Sequence, residues 1–545
     1  MALGVPSLAV AGGVHDALSA EMLRALPMDA MARFLVQRRW FGAKGHALHA
    51  VAIEHVIRLD HCSEWDGPPA AVVSVHVRMD DGRSARFQLL LAVRDENASA
   101  GHAPSNALAR VTTSAGEHAL LMEGTEMASV RRALGALIAR GGACEEAGLR
   151  WRVELVGAGD DALRAALAPG GEARVGTAEQ SNTSIVFGDA AILKLFRRLE
   201  PGVHPDVEIG RFLTTRTSFR HTPPLLAVVH LEEPGGEDTV GGMVQRYLPG
   251  SEDAWSVALR AAEMAARGDA PSATGGARED LPFARDAALL GTITRALHDA
   301  LGSDARDPAF APERATERDV DAWCERAVKA AERALELLAR RRDVLSPSAA
   351  ASADTLGGAH AALHTRVEEA RRTLHGDAGA RIRHHGDYHL GQVLRTAEGD
   401  YMVIDFEGEP SRPLAARRRK DSPLRDVAGM LRSFSYAAAS GAPASAARAA
   451  DDTLERSWRW ERAMRRAFLD AYLGAAGGAE LIPRSASSVA ALLTLFELEK
   501  VFYEITYELN NRPDWVWIPL RGAHELLDAP RTHVPALRDP HEGGA

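Results

Sequence analysis

An aspartate, an amide side chain five residues later and a second aspartate 18 residues after the first are set out in two short runs. These are His385-Gly386-Asp387-Tyr388-His389-Leu390-Gly391-Gln392 and Val403-Ile404-Asp405-Phe406-Glu407. No other feature constrains the fold as strongly, because a hairpin between the runs returns Asp387, Gln392 and Asp405 to one end. Val393 and Leu394 predict a short strand, Ala397-Glu398-Gly399-Asp400 a turn, and Tyr401 to Phe406 the returning strand. Asp387, Asp405, Glu407 and Glu409, if crowded, would repel by roughly 4 kcal/mol per close pair at an effective dielectric near 20. A divalent cation removes that cost, and carboxylate and amide oxygens suit magnesium. The layout is the one that kinase-type phosphoryl transfer needs. The first carboxylate meets the attacking hydroxyl, and the amide and second carboxylate hold magnesium on the nucleotide phosphates. A polar hairpin with solvated acids is the plain alternative.

A chain of 545 residues exceeds one ordinary core and predicts two to four domains. Its 64 basic and 74 acidic side chains give a net charge of −10, which argues against a dominant nucleic-acid surface and requires a local basic site for any anionic ligand. Cys62, Cys144 and Cys324 lie far apart with no CxxC or Cys/His cluster, so neither a disulfide framework nor a zinc site is indicated. A reducing cytoplasm is the expected setting. The first 28 residues lack a basic segment before a weakly apolar run, and no later stretch reaches membrane-spanning length, so neither export nor insertion is expected.

Near the start, Arg38-Arg39-Trp40-Phe41-Gly42-Ala43-Lys44-Gly45 follows a helical pattern of Met28, Met31 and Leu35 opened by Pro27, and reads as a packed corner. Val51 to Leu59 predicts a strand, and Val72 to Val77 pairs with Phe87 to Val93 across Asp81-Gly82. A loop through Asn97 to Asn106 is the first expected boundary. A strand near His118 to Leu121, a helix over Glu126 to Arg140 and a strand over Trp151 to Leu155 follow. The run Ser181-Asn182-Thr183-Ser184 then precedes the strand Ile192-Leu193-Lys194-Leu195-Phe196. A small-residue hairpin before a strand with one Lys fits a phosphate-covering loop, with those four residues and Lys194 on the nucleotide. The GxGxxG glycines are absent, so an ordinary β-hairpin fits as well. Glu208, in the first turn of a helix opening at Pro205, suits either the helix dipole or an ion pair with Lys194. Val240 to Leu248 predicts a strand whose backbone at Met243 to Arg246, including Gln245, faces adenine before Pro249-Gly250 crosses to a second lobe.

That second lobe reads as helical, with helices over Trp255 to Arg267, Phe283 to Leu301 and Val320 to Arg341. His298 is expected to be packed and hydrogen-bonded. The stretch from 269 to 279 reads as a polar loop, and Ser346 to Gly358 as a linker. Five basic side chains between 417 and 425 suit either a solvated loop or anchoring of the acidic loop or phosphates. Asp426 suits a helix cap or a hydrogen bond to the backbone of the His385 loop. In the helix from 495 to 511, Leu495, Leu498, Phe502, Ile505 and Leu509 should face the core. Lys500, Tyr503, Tyr507 and Asn511 form an adjacent stripe, which suits a sugar or the margin of an amphipathic surface helix.

RWFGAKG, EQSNTSIVFG with ILKLFRRLEPGVHPDVE, HGDYHLGQVL, VIDFEGEPSRPLAARRRKDSPLRDVAGMLRSF and FELEKVFYEITYELNNRPDWVWIPL together resemble actinobacterial-type maltokinases, from about residue 30 to 522. The resemblance implies an α+β, bilobal protein kinase-like (aminoglycoside phosphotransferase-like) fold. Its parts would be an N-terminal β-rich cap (1–105), an intermediate subdomain with the nucleotide-binding lobe (106–248), and a predominantly helical C-lobe (249–545). It implies transfer of phosphate from ATP to maltose, giving maltose 1-phosphate and ADP, with Mg2+, and a functional link to a maltosyltransferase and to trehalose synthase. An amino-sugar kinase, for example for glucosamine, is the nearest enzymatic alternative, and a nucleotide- or sugar-binding regulator the alternative from another class. By that resemblance Asp387 is the base, with His385 and Lys194 completing the predicted catalytic set, and Gln392 and Asp405 are the metal ligands. Lys194 and Glu208 form the phosphate-binding pair, and His389, Glu407, Lys500, Tyr503, Tyr507 and Glu508 lie toward the sugar. The Ala/Gly-rich stretches from 269 to 279 and from 346 to 358 read as insertions.

Overall fold

The computed structural model describes residues 5–42, 47–96, 106–157, 167, 171–176, 181–269, 281–410, 412–441, 451–475 and 480–528. The expected boundary loop through Asn97 and most of the expected loop from 269 to 279 lie outside these residues, as do Ala43 to Gly45 of the corner motif. The chain forms two compact units, one of residues 1–216 and 223–249, the other of 217–222 and 250–545.

The first unit is built on two sheets. The first contains β1 (Ser7–Val10), β2 (Leu48–Arg58), β3 (Ala70–Met79), β4 (Ser84–Asp95), β5 (Ala109–Thr113) and β6 (His118–Glu123) in the order β1-β5-β6-β4-β3-β2, with only β1 and β5 parallel. The expected division after residue 105 therefore falls inside a sheet, because β5 and β6 complete it. The second contains β7 (Ala143–Glu146), β8 (Leu149–Leu155), β9 (Ala173–Val175), β10 (Thr183–Phe187), β11 (Ala191–Leu195), β13 (Leu225–Glu232) and β14 (Thr239–Arg246), in the order β7-β8-β13-β14-β11-β10-β9. Between β11 and β13 the short β12 (Arg198–Leu199) adds to β4 of the first sheet.

Burial on both faces explains the near-continuous apolar run of β3, since a sheet covered twice loses the polar alternation of a half-wet one. One face of the first sheet packs on Met31, Phe34 and Leu35 of α1 (Met28–Val36), with Trp40 and Phe41 closing the corner over Phe87. Its other face supplies Ile57, Val72, Leu90 and Ala92 to a core shared with Ile185, Phe187, Leu193 and Val244 of the second sheet. Into the same core go Val130, Leu134 and Leu137 of α2 (Ala128–Ala139). Cys62 and Cys144, 82 residues apart, form a disulfide here. This corrects the expectation of no disulfide, which rested on linear spacing; the packing of the two sheets on one core brings the cysteines together. Cys324 is a buried free thiol.

A buried cation fixes the two sheets to each other. Arg197 is 1% exposed, bonds Glu123 at 3.2 Å and the Gln88 carbonyl at 3.2 Å in the first sheet, and donates from Nε to Thr183 Oγ1 at 2.8 Å in the second. Its guanidinium also lies 4.9 Å from the Trp40 ring. From the first sheet, Gln88 Nε2 reaches the carbonyls of Gly241 at 2.8 Å and Phe196 at 3.1 Å.

The second unit is mostly helical. Its main elements are α4 (Ala254–Arg267), α5 (Ala284–Leu301), α6 (Glu317–Arg340), α7 (Pro347–Gly357), α8 (His360–Thr373), α9 (Leu424–Gly441), α10 (Asp451–Gly474), α11 (Ala486–Asn511) and α12 (Trp517–Asp528); α3 (Pro205–Arg216) belongs to the first unit. Residues 346 to 358 are a helix, not the expected linker. Ser346 Oγ accepts from Ala349 N, Pro347 occupies the first turn, and Ala349, Ala350, Ala353 and Leu356 are buried. Low complexity there reflects alanine, the best helix former, with a favourable cap. Leu495, Leu498, Phe502, Ile505 and Leu509 are all buried along α11. Among the described residues no helix is long and apolar enough to cross a membrane.

Because Arg197 holds a buried carboxylate and a hydroxyl at once, Arg197→Ala is expected to destabilise the chain by roughly 3–5 kcal/mol, the cost of leaving a buried charge without its partner. Denaturant unfolding of both proteins measures this. A loss below about 1 kcal/mol would show that the sheets are fixed by apolar packing alone.

Candidate active site

The loop from His385 to Gln392 is shaped by one stripe of α9. Asp426, in its first turn, accepts from His385 N at 2.7 Å and Gly386 N at 2.9 Å. One turn on, a Cβ at Gly429 would stand 2.5 Å from the Tyr388 carbonyl oxygen, so the helix approaches as closely as only glycine permits. Ser433 Oγ then accepts from Leu390 N at 3.1 Å. Spacings of three and four residues put these positions on one helix face. Gly386 has φ +83, the left-handed region that turns the loop outward before Asp387.

His298, fully buried, completes the cradle, with Nε2 3.2 Å from Asp426 Oδ2 and Nδ1 2.9 Å from the Tyr472 hydroxyl. The packed histidine and the loop-binding aspartate are as expected. Burial alone would raise the pKa of Asp426; the hydrogen bond from His298 and the neighbouring rings of His384 and His385 outweigh it and hold the carboxyl well below the usual range.

His385 differs from its expected catalytic place. Its ring is 1% exposed, sits between Tyr388 and Phe406, lies 2.9 Å through Nε2 from the Ile404 carbonyl, and accepts from Asp387 N at 3.4 Å through Nδ1. Both nitrogens are thus engaged by backbone. His385 is a positioning residue that ties the Asp387 loop to the Asp405 turn.

Past His385 the hairpin forms from β16 (Val393–Arg395) and β17 (Tyr401–Val403), with β15 (Glu252–Asp253) pairing on β16. The returning strand ends at Val403, three residues short of the expectation, because Asp405 adopts φ +67. A non-glycine residue in that region is strained and is held by its surroundings. Here Gln392 Nε2 donates to Asp405 Oδ2 at 2.9 Å, Phe406 is buried, and the carboxylate oxygens of Asp405 and Glu407 come within 4.8 Å of each other.

Asp387 lies at the wall of a cavity of about 350 Å3. Lys500 Nζ of α11 stands 3.5 Å from Asp387 Oδ1, and His389 Nε2 4.0 Å from Oδ2. Burial lowers the His389 pKa, which Asp387 opposes, and its Nδ1 accepts from Gly391 N at 3.0 Å. Lys500 and Tyr503 line the cavity, with the ammonium 5.2 Å from the Tyr503 ring. Burial, with Glu409 and Asp387 beside it, raises the Tyr503 phenol pKa. Tyr507 stacks on Tyr503 at 6.4 Å but is exposed and outside the lining. Glu508 turns into the core, 1% exposed, where it accepts from Tyr436 at 3.0 Å and Arg512 at 2.7 Å. His389 and Glu407 also lie outside the cavity lining. Glu409, which lines it and accepts from Arg412 at 2.7 Å, was not singled out as a sugar-side residue.

In the first unit, Ser184, Lys194 and Met243 are opposite one another across β10, β11 and β14 and so share a face of the second sheet. Lys194 Nζ lies 3.2 Å from Asp206 Oδ2 in the first turn of α3. Asp206, 1% exposed and on the same helix turn as Glu208, is therefore a Lys194 partner beyond the one the sequence pattern predicts. Ser181 is exposed, while Asn182, Thr183 and Ser184 are buried. Thr183 is engaged by Arg197, whereas Ser184 Oγ is buried without a hydrogen-bond partner among the described residues. The backbone from Met243 to Gln245 is paired on both sides, with β11 and β13, which overturns the expected adenine contact there. The Met243 side chain is core, and Gln245 is 9% exposed.

Residues 34–126 match the maltokinase N-terminal cap domain family. Glucosamine kinase from Mycolicibacterium smegmatis is 30% identical over 359 residues, spanning 65% of this chain and 79% of that protein. This chain belongs to the capped sugar kinases. Glucosamine kinase from Streptacidiphilus jiangxiensis is 29% identical over 357 residues, 64% of this chain and 72% of that one. Two crystal structures share the fold of this sugar kinase. A glucosamine kinase crystal form matches at TM-score 0.63 and 23% identity, covering 94% of this chain and 99% of that one. A glucosamine kinase in complex with glucosamine, ADP and inorganic phosphate matches at 0.61 and 24%, covering 93% and 99%.

Asp426→Asn in this kinase leaves donors of the His385 loop or His298 without an acceptor and is expected to cost roughly 3 kcal/mol at neutral pH. The native carboxyl has a folded pKa below its unfolded value near 3.9, so its stabilisation is complete above about pH 4 and is lost as pH falls toward the folded value. Urea unfolding at pH 7 and below pH 4 should therefore show a smaller acid loss in Asp426→Asn than in wild type. Equal losses would remove Asp426 as a source of acid sensitivity.

Proposed function

We propose that this sugar kinase phosphorylates the anomeric hydroxyl of maltose, giving maltose 1-phosphate and ADP. The observation that carries the reading is the Asp387 carboxylate at a cavity wall, with Lys500 and the Tyr503 ring beside it on one helix stripe. Asp387 accepts the hydroxyl proton as the sugar oxygen bonds the γ-phosphorus, and the bond from phosphorus to the β,γ-bridging oxygen breaks to release ADP. Lys500 orients the carboxylate from 3.5 Å, and Tyr503 offers an aromatic face and a hydroxyl to the sugar.

Gln392 and Asp405 are held side by side by the bond from Gln392 Nε2 to Asp405 Oδ2, and with the amide turned over they would offer two hard oxygens, which fits magnesium. Gln392 and Asp405 would hold magnesium, which would supply neutralisation of charge on the nucleotide phosphates. Lys194, fixed by Asp206 and proposed to pair with Glu208 as well, supplies a cation for the same phosphates. Ser184, with its unused buried hydroxyl, is the strongest of the hairpin residues for a phosphate contact. His389, Glu407 and Tyr507 remain in the proposal as residues beside Asp387, the metal and Tyr503 that a bound sugar would approach.

Six cations and four carboxylates line the cavity, an excess that disfavours an ammonium-bearing sugar and leaves a neutral disaccharide unaffected. The cap-domain match carries the maltokinase name, and the glucosamine kinase structures align over the same region, so the cap does not separate the two sugars. Glucosamine is the second reading, supported by the two relatives of that name. A cytoplasmic role in α-glucan synthesis, linked to a maltosyltransferase and trehalose synthase, follows only from the maltose reading.

Incubation with ATP, magnesium and either sugar, followed by product identification, separates the two. Phosphate at C1 of maltose is expected; a phosphorylated amino sugar with no maltose product establishes the second reading. Asp387→Asn is expected to lower kcat by at least about 100-fold. Unchanged turnover would remove Asp387 as the base.

A further inference from the structure

The helical unit contains a second cavity, of about 600 Å3, that shares Arg326, His384, Arg412 and Ala416 with the walls of the first. Its centre is a short antiparallel pairing, in which Ile382 and Asp421 exchange backbone hydrogen bonds of 2.9 and 3.0 Å. Arg381 and Arg383 flank one side of that pairing and Arg418 to Lys420 the other, so the basic run of the sequence folds onto a second basic pair. Seven cationic side chains line the cavity against three carboxylates.

All three carboxylates are already engaged. Asp421 accepts from Arg326 at 2.9 Å, with Arg425 at 3.4 Å. Glu313 is held by Lys420 at 2.8 Å and Arg381 at 2.6 Å. Asp319 meets Arg381 at 3.0 Å and caps the turn at Thr316. Two of the cations also pair with acids outside the lining, Arg412 with Glu409 at 2.7 Å and Arg326 with Glu499 at 3.6 Å, and the wall keeps the remaining excess of positive charge, in a chain whose net charge is −10. Arg383 is only 2% exposed, donates to the Arg418 carbonyl at 2.8 Å, and has its guanidinium 5.9 Å from the Phe310 ring. His384 Nδ1 is buried with no hydrogen-bond partner among the described residues.

We propose that this cavity binds a phosphate-bearing small anion, at a site separate from the one that transfers phosphate. Arginine forks pair with phosphate oxygens in two-point contacts, and a concave wall of one sign concentrates the opposite charge. His384 Nδ1 adds a directional group from the residue just before the catalytic loop. Free phosphate and a phosphate monoester share this chemistry.

Equilibrium titration of the whole chain by calorimetry, with inorganic phosphate and separately with glucose 6-phosphate, tests the site without sugar turnover, so it stands or falls apart from the maltose reading. Wild type is expected to bind at least one probe saturably. The double variant Arg418→Gln/Arg419→Gln, in a partly exposed segment, is expected to bind that probe at least about tenfold more weakly while circular dichroism stays that of wild type. Arg383→Gln should act in the same direction if it folds. Binding of both probes assigns the site to the phosphate group itself, and binding of the ester alone assigns it to a phosphorylated metabolite. No saturable binding by wild type, or equal affinity in the double variant, overturns the proposal.

Discussion

Asp426 bears on the catalytic loop more than any residue that could touch substrate. A loop that presents a carboxylate outward must hide the donors of its own backbone, and two adjacent N–H groups at the turn are met by one buried carboxylate. Such a carboxylate survives burial only if it is itself paired, and His298 and the surrounding imidazoles supply that compensation. The geometry of Asp387 is thus inherited from a helix whose first turn begins some forty residues later. Gly429 and Ser433 extend the same logic, one by removing a side chain and the other by adding an acceptor.

The same division between anchoring and presenting recurs in the first unit. Lys194 is presented from a strand that is central in its sheet, and Arg197, three residues on, bonds Thr183 of that sheet and locks it to the adjoining sheet through Glu123 and Gln88. Residues on the presenting face, Ser184 and Lys194, keep polar atoms near the surface of the sheet, while Ile185 and Leu193 on the other face close the core shared by the two sheets. A shared core of this kind explains why the cap region and the sheet that carries Lys194 cluster as one unit.

Much of this was legible from the sequence. The apolar runs of Val72 to Val77 and Phe87 to Val93 on either side of Asp81-Gly82 located the β3–β4 pair, helical spacing along α11 separated its buried stripe from its tyrosine stripe, and the Asp387, Gln392 and Asp405 spacing located the hairpin. What was missed shares one physical cause, dependence on partners distant in the chain. Spacing alone cannot report that Cys62 and Cys144 meet, that the backbone of Met243 is consumed on both sides, or that both nitrogens of His385 are spent on backbone. The run from 346 to 358 failed for a local reason: its composition was read as low complexity, although the serine cap, Pro347 and alanine content already favoured a helix. The αL turn at Asp405 was hidden because an aspartate leaves no sequence mark of the conformation its neighbours impose.

The basic run from 417 to 425 shows how a composition signal changes meaning once its surroundings are known. In linear form five cations in nine positions suit solvent as well as a ligand. Folded, the run divides into two roles. Arg425 turns inward, 2.6 Å from Glu499 and over the Phe496 ring, and joins α9 to α11, the helices that carry Asp426 and Lys500. Arg418, Arg419 and Lys420 turn the other way, toward Arg381 and Arg383, where every wall carboxylate is already committed. Charge spent on internal ion pairs contributes to shape, whereas charge left in excess on a concave wall creates a field. The two cavities differ in this respect. The first has acids and bases interleaved around Asp387, and the second has cations gathered on both sides of one backbone pairing, with His384 forming part of the wall of both.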